Sequence, residues 1–190
     1  TPAPSCQFIK KEVPTAPSGK YWLDLDGDNA KQPIEARCDM DTDGGGWTIV
    51  GRAKAPKGKD SWTKAGNVGN IDSDTYKWHD DDINLIEKSV YRYRGTGIIK
   101  KSWFFPGTCA YRHTMTADND CACIADNPEL DNKQCVGPTN GYWGVAAHSG
   151  GQCLGSAMTF GSRWKIQGGW NCSSQCTGSN NDCNIELAVR

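Results

Sequence analysis

The sequence predicts an α+β domain, in which a small antiparallel meander precedes a second lobe that is rich in disulfides, dominated by loops and poor in helix. Alternating apolar segments separated by turn residues occupy the first fifty positions. Eight of the ten cysteines fall within residues 109–183, where turn-forming residues are frequent. The last segment, residues 184–189, alternates again and predicts a strand that returns to the sheet.

Three strand patterns joined by two turns make up the predicted meander. The strands are 21–23, 34–39 and 47–50, and two hairpins in succession imply antiparallel neighbours. The second turn ends in the run Gly44-Gly45-Gly46, where glycine permits positive φ and close backbone approach. Trp47 follows directly and supplies a large apolar anchor.

The first turn of the meander is acidic. It carries Asp24, Asp26 and Asp28, followed by Asn29, and imitates part of an EF-hand loop. The glutamate expected at the twelfth position and the helix that should follow it are both missing. We therefore interpret this cluster as a hairpin turn without a metal.

Residues 51–106 predict a central sheet with one short helix. Residues 53–70 are basic and contain glycine, so we interpret them as a solvated loop, with contact to an anionic glycan as a minor alternative. Carboxylates at Asp80–Asp82 suit a helix start, and the helix face would carry Ile83, Ile86 and Val90. Strands are expected at 91–94 and 98–105.

Composition excludes several classes of function. The 190 residues carry a net charge of −1, which gives no global attraction to nucleic acid. Mean hydropathy is −0.64, and no apolar run approaches the ~18 residues that indicate a membrane span. With three histidines and no hydrolase, metalloprotease or phosphate-loop motif, the sequence does not predict an enzyme.

The ten cysteines indicate disulfides and an oxidising compartment. An even count suits complete pairing, which predicts a secreted or cell-surface location. Zinc is the rival interpretation, but the short spacings at 121/123 and 172/176 lack a matching second pair or well-spaced histidines. The eight cysteines of the second half allow 105 pairings.

The chain divides into a short lead segment and one domain. Residues 1–5 predict a linker or cut edge left from a longer precursor. Within the domain, 6–190, we expect an amino-terminal hairpin subdomain at 6–50 and a central sheet at 51–106. The disulfide-rich loop subdomain and the returning strand then occupy 107–190.

Two strings of residues resemble a known family. They are Ser18-Gly19-Lys20-Tyr21-Trp22-Leu23-Asp24 and Ala36-Arg37-Cys38-Asp39-Met40-Asp41-Thr42-Asp43-Gly44-Gly45-Gly46-Trp47-Thr48-Ile49-Val50. Both resemble the amino-terminal subdomain of fibrinogen-related domains, and intelectins (X-type lectins) share the opening. The Tyr-Trp-Leu-Asp turn is also similar to fibrillar collagen C-propeptides. Beyond residue 50 the central fibrinogen pattern is missing, and the spacing from 135 to 153 looks more like intelectin.

The resemblance implies a disulfide and a calcium site. It implies a bridge between Cys6 and Cys38 that joins the amino-terminal arm to the second strand. In fibrinogen-related domains an Asp-x-Asp shortly before a disulfide-closed loop binds calcium. Carried over, the ligands would be the side chains of Asp118 and Asp120 with the carbonyls of Ala122 and Ile124. The alternative is that Asp and Asn merely form a turn there.

A ligand pocket is expected around the aromatic, glycine-flanked loop of the second half. Tyr142, Trp143 and His148 would contact the ligand, with Trp170 lining the same region. The alternative is that these tryptophans belong to the core. Val145 and Ala146 stand where intelectins supply an acidic calcium ligand, which is a departure from the intelectin mode of sugar binding.

Two functional hypotheses follow from the resemblance. The first is an extracellular, calcium-stabilised recognition or adhesion module that binds a glycan, or an acetylated or acidic ligand, on a cell surface. The second is a structural assembly domain that forms the homotrimeric head of a surface or fibre protein, as collagen propeptides do with a related fold. Both could hold together, because trimerisation gives a weak lectin avidity.

Overall fold

The computed structural model describes residues 2–27, 31–54, 71–73, 76–95, 102–106, 135–136, 142–146, 158–161 and 184–190. Its helices are α1 (Cys6–Glu12) and α2 (Asp80–Leu85). Its strands are β1 (Gly19–Leu23), β2 (Ile34–Asp39), β3 (Trp47–Lys54), β4 (Tyr76–Lys77), β5 (Val90–Gly95), β6 (Ser102–Pro106), β7 (Cys135–Val136), β8 (Tyr142–Ala146), β9 (Met158–Gly161) and β10 (Asn184–Val189).

The described part of the chain forms one seven-stranded antiparallel sheet and one smaller sheet. The large sheet has the order β1-β2-β3-β10-β5-β6, and β4 pairs with β3 at Gly51 and Arg52. The predicted meander β1-β2-β3 is present, and the bounds of β2 and β10 agree with those expected from sequence. The returning strand β10 lies in the interior of the sheet, hydrogen-bonded to β3 on one side and β5 on the other.

Helix α1 covers one end of this sheet and was not expected from the sequence. Ser5 caps it by accepting a hydrogen bond from the Phe8 N–H, and two lysines occupy its last turn. The chain before it also contacts the domain, because Ala3 bridges to Leu23 of β1. Part of the segment expected to be a linker therefore adds to the sheet edge.

A disulfide joins α1 to the sheet. Cys6 opens the helix and Cys38 lies on β2, with 5.5 Å between their Cα atoms. The Cys6 N–H also donates to Thr48 Oγ1 on β3 at 3.2 Å. Both cysteines are buried, so the helix start is fixed covalently and by a buried hydrogen bond.

The helix at residues 80–85 is shorter than the apolar spacing indicates. Its cap is His79, whose Nδ1 accepts the Asp81 N–H, while the three aspartates fill the first turn. The helix ends at Leu85 because Ile86 is extended and Val90 begins β5. Val90 bonds the backbone of Arg190 beside β10, so sheet pairing overrides the helical period there.

Much of the core lies on one face of the large sheet. Its buried apolar residues include Leu23, Ala36, Val50, Tyr91 and Leu187, none of which is exposed to solvent. The residues that pair with one another across β1, β2, β3, β10 and β5 share a face, so side chains one position away belong to the opposite face. That opposite face, called the polar face below, carries charged side chains around the buried Trp47, Ile49 and Ala188.

The smaller sheet has the order β7-β8-β9, with Cys135 opposite Ala146 and Trp143 opposite Phe160. These short strands are the described part of the lobe expected to be dominated by loops. No helix among the described residues is long and apolar enough to cross a membrane.

Candidate functional site

The calcium and ligand residues predicted from the sequence fall largely outside the described residues. This holds for Asp118, Asp120, Ala122 and Ile124, and for His148 and Trp170. Tyr142 and Trp143 are placed as consecutive residues of β8, opposite Gly161 and Phe160.

In the described ranges, no group of three or more His, Cys, Asp or Glu side chains is arranged to hold a metal ion. In the acidic turn after β1, Asp24 Oδ1 accepts the Gly27 N–H at 3.0 Å. This bond is the turn-forming contact that aspartate favours. Asp26 Oδ2 accepts the Lys31 N–H, which closes the other side of the turn.

The structure instead draws attention to the polar face of the large sheet. Across three neighbouring strands, Glu186 of β10 lies directly between Arg52 of β3 and Arg94 of β5 in the register. Glu186 Oε2 is 3.2 Å from Arg52 Nε, and its Oε1 is 4.0 Å from Arg94 Nη1. Opposite charges on directly opposed positions stabilise a sheet, so this row fixes the face around the central strand.

A buried arginine organises the next row of the same face. Arg92 is fully buried, its Nη2 donates to Asp39 Oδ2 at 2.8 Å, and its Nη1 lies 3.2 Å from Asp43 Oδ2. Its guanidinium lies 4.6 Å from the centre of the Trp47 ring, and that of Arg190 lies 4.3 Å from it. Two cations on one indole make this a desolvated cation–π cluster in which the Arg92 charge is balanced by carboxylates.

The Asp39 carboxylate is held in its charged form. Burial by itself raises the pKa of Asp39, but the Thr42 N–H and the Arg92 guanidinium bond to its oxygens and outweigh burial. The net result is an Asp39 pKa below its ordinary value. Arg94 adds a further cation, with Nη1 3.6 Å from Asp39 Oδ2.

A groove of about 330 Å³ opens on this face. Its wall begins at the end of the amino-terminal arm, where Ser18 Oγ donates to Asp41 Oδ2 and accepts the Met40 N–H. The charged residues that line it are Arg37, Asp39, Asp41, Arg52, Arg94 and Glu186. This volume matches a single sugar ring or a small polar group, and is at the low end of ligand pockets.

The charges in the groove differ in exposure. The side chains of Arg37, Arg52 and Arg94 are each about 30% exposed, at 31%, 29% and 31%. Those of Asp39 and Glu186 are 11% and 9% exposed. Asp41 is the exposed carboxylate at the rim. Within the groove, and apart from Asp41, the guanidinium groups are therefore more exposed than the carboxylates beneath them. Toward Trp22 the face also exposes two carboxylates, those of Glu35 at 39% and Asp72 at 58%.

Trp22 stands beside the groove on the same face. It lies opposite Glu35 on β2, two positions from Arg37, and its relative exposure of 60% is the highest among the exposed large apolar residues described. Lys20 of β1 lies opposite Arg37, and both cations contact Asp72. An exposed indole next to charged donors is an arrangement that can stack a flat ligand and bond its polar edge.

Sequence reasoning did not single out this face. The available signal was the alternation Tyr91-Arg92-Tyr93-Arg94 in a predicted strand, which places the two arginines on one face. That alternation does not reveal which strand lies beside β5. Nothing in the local sequence patterns therefore indicates that Arg94 lies beside Glu186 and Arg52 in the sheet.

The described residues define a class of protein: an antiparallel sheet domain with a disulfide-fixed amino-terminal helix and a charged groove on one face of its sheet. Comparison with known proteins shows which family the chain is similar to. The family described as the C-terminal globular domain of fibrinogen beta and gamma chains matches residues 5–94. Tenascin-N of Mus musculus is 46% identical over 52 residues, which make up 27% of this chain and 3% of that relative.

One solved structure with a TM-score above 0.5 supports a fibrinogen-like fold. The fibrinogen-like globe domain of human ANGPTL6 matches with a TM-score of 0.51 and 13% sequence identity, covering 100% of this chain and 96% of that chain. The fibrinogen-like globe domain of human ANGPTL2 has a TM-score of 0.49 and 16% identity over 100% and 99% of the two chains. The predicted resemblance to fibrinogen-related domains therefore extends to a family match over residues 5–94, and the fold of the chain is similar to that of a fibrinogen-like globe domain.

Proposed function

We propose that this chain is an extracellular recognition or adhesion module that binds carbohydrate and is stabilised by calcium. The observation that carries the proposal is the fibrinogen-related signature of residues 5–94 on a disulfide-fixed sheet. Ten cysteines and the Cys6–Cys38 bridge support an oxidising, extracellular location.

The proposed ligand site uses the aromatic segment of the second half. Trp143 or Tyr142 would stack on the apolar face of a sugar, with His148 and Trp170 completing the pocket. Consecutive positions of a strand belong to opposite faces of its sheet. Because Tyr142 and Trp143 are neighbours in β8, we expect one of them, and not both, to contact the ligand.

The proposed calcium would order the loop that leads to this segment. Asp118 and Asp120 supply hard carboxylate oxygens at alternate positions, and the carbonyls of Ala122 and Ile124 would complete the shell. The chemistry expected of this ion is structural: it offsets the repulsion between two nearby carboxylates and keeps the loop closed. No covalent step is proposed for the domain.

The test is a glycan array with the intact chain, run in calcium and again in EDTA. We expect micromolar to millimolar binding to a defined glycan that weakens when calcium is removed. Tyr142→Ala and Trp143→Ala, each checked for a native circular-dichroism spectrum, should then differ in glycan binding: one variant should lose it and the other should keep it. Unchanged binding by both variants, or no glycan bound at any concentration, would contradict the proposed function.

A further inference from the structure

The polar face of the large sheet is a second surface that can bind a ligand, and it is remote in sequence from the aromatic segment of β8. Its residues come from β1, β2, β3, β5 and β10, which hydrogen bonding fixes relative to one another. Two features combine on it: the exposed Trp22 and the groove whose exposed charges are chiefly guanidinium groups. We propose that this face binds an acidic oligosaccharide, with Trp22 stacking on a sugar ring and Arg37, Arg52 and Arg94 receiving its carboxylate or sulfate groups.

The carboxylates of the groove are already satisfied, which makes an anion the suitable ligand. Asp39 Oδ1 accepts the N–H groups of Asp41 and Thr42, and its Oδ2 faces Arg92 and Arg94. A guanidinium carries five N–H donors in a planar fork, more than one shared carboxylate can occupy. At Arg52 and Arg94 an entering anion therefore finds donors, whereas an entering cation finds acceptors that are in use. At Arg37 the anion would replace the exposed Asp72, whose Oδ1 is 2.8 Å from Arg37 Nη2.

The geometry of the face keeps the arginines in place before a ligand arrives. Glu186 is 9% exposed and positions both Arg52 and Arg94, while Arg37 Nε donates to the Ile71 carbonyl at 2.8 Å. Guanidinium groups held by packing and ion pairs lose little conformational entropy on binding. Arginine is also better suited than lysine to bidentate contact with carboxylate or sulfate.

Trp22 gives the surface its preference for a sugar over a free anion. At 60% exposure its indole is available on the sheet surface, and it lies diagonally across the β1–β2 pair from Arg37. Diagonal neighbours on an antiparallel pair are about 7–8 Å apart, which is within the span of one sugar residue carrying an acid group. This inference rests on the proposed function in one respect, which is that the ligand is a saccharide.

The test uses three hexasaccharides as probes: a heparin hexasaccharide, a hyaluronan hexasaccharide and neutral maltohexaose. Titration of the ¹⁵N-labelled intact chain by NMR should show binding of the first two, with shifts at residues 20–22, 37, 52 and 94. Hyaluronan carries carboxylates only, whereas heparin carries carboxylates and sulfates, so the ratio of the two affinities measures the contribution of sulfate. Equal binding of maltohexaose, or no binding of either acidic probe at millimolar concentration, would overturn the proposal.

Variants locate the binding. Trp22→Ala removes an exposed side chain and should lower the affinity for the acidic probes about tenfold. Phe8→Ala is the matched control, because Phe8 is a 46% exposed aromatic residue on α1 and lines a different groove. Arg37→Gln, which leaves the row around Glu186 intact, should weaken binding as well. If Trp22→Ala binds like the wild type, or if Phe8→Ala weakens binding equally, the surface is not the site.

Further variants test whether the acidic probes bind instead at the basic segment 53–70 or at the aromatic segment of β8. A triple change of Lys57, Lys59 and Lys64 to Gln tests the basic segment at 53–70, and the proposal requires that acidic probes still bind. Tyr142→Ala and Trp143→Ala should both leave acidic-probe binding intact, while one of the two loses the glycan found on the array. If Trp22→Ala binds the acidic probes like the wild type while one β8 variant loses the array glycan, this inference is wrong and the proposed function stands. If Trp22→Ala weakens the acidic probes while neither β8 variant affects the array glycan, the proposed function is wrong and this inference stands.

Discussion

Arg92 of β5 hydrogen-bonds Asp39 of β2 across the two strands that separate them, β3 and β10. The pair therefore connects the meander to the second half of the large sheet. Because Arg92 is fully buried and Asp39 nearly so, removal of either partner would leave a buried charge with only its more distant partner. That partner is Asp43 for Arg92 and Arg94 for Asp39.

Asp39 should make stability depend on pH in the acid range. Its folded-state pKa is lowered, so the unfolded chain binds the proton more tightly and the stabilisation is present above the unfolded pKa of about 3.9. It is lost as pH falls through the folded pKa. Urea unfolding at several pH values should show Asp39→Asn clearly destabilised at pH 7, with the difference from wild type shrinking below pH 4. A difference that stays constant from pH 7 to pH 3 would contradict this assignment.

Gly45 should tolerate no side chain. Its φ is +71°, and a Cβ built there would lie 2.0 Å from the Met40 carbonyl oxygen. Gly45→Ala should therefore lower the free energy of unfolding by at least about 2 kcal/mol. Gly27→Ala is the matched control, since Gly27 has φ +57° but nothing within 4 Å of the added Cβ. The control should cost about 1 kcal/mol, and equal costs for the two variants would argue against the clash.

The Cys6–Cys38 bridge should stabilise the amino-terminal subdomain. Cys38→Ala should cost about 2–5 kcal/mol in urea unfolding without reductant, as for native bridges of secreted domains. The double variant Cys6→Ala/Cys38→Ala should cost about the same, because the bridge is lost only once. Peptide mapping should find neither cysteine alkylated before reduction. A native protein that alkylates at Cys6 or Cys38 would refute the bridge.

Calcium should stabilise the domain by mass action, if the proposed loop site binds it. An ion that binds only the folded state at a hundredfold excess over its dissociation constant adds about 2.7 kcal/mol. EDTA should therefore lower the melting temperature, and Asp120→Ala should reproduce that loss and abolish the response to EDTA. Asp26→Ala is a suitable control, because the acidic turn after β1 is expected to be free of metal. An unchanged melting curve in EDTA would count against the site.

The meander could be predicted from sequence because its signals are local. Alternation and turn glycines lie within the segment that they shape, so the bounds of β2 were reproduced. Helix α1 was missed because only Ser5 marks its start and its apolar residues, Phe8 and Ile9, are too few to show a period. The length of α2 was overestimated because Val90 is the first residue of β5.

The polar face could not be predicted, because it depends on strand order. Arg52, Arg94 and Glu186 lie far apart in the sequence and meet only because β10 enters between β3 and β5. Short-range patterns carry no information about such neighbours. The predicted calcium residues Asp118 and Asp120 lie outside the described residues, so that site stays a prediction.

The interior position of β10 has a consequence for how the chain reaches its native state. Arg190 bonds the Asp43 carbonyl across a sequence separation of 147 residues, and β10 alone bridges β3 to β5 in the large sheet described here. Pairing of strands so distant in sequence costs loop-closure entropy before the contacts between them can stabilise the sheet, so we expect slow folding. Until β10 arrives, β3 and β5 expose unpaired edges, so the growing chain should depend on chaperones to avoid edge-to-edge aggregation.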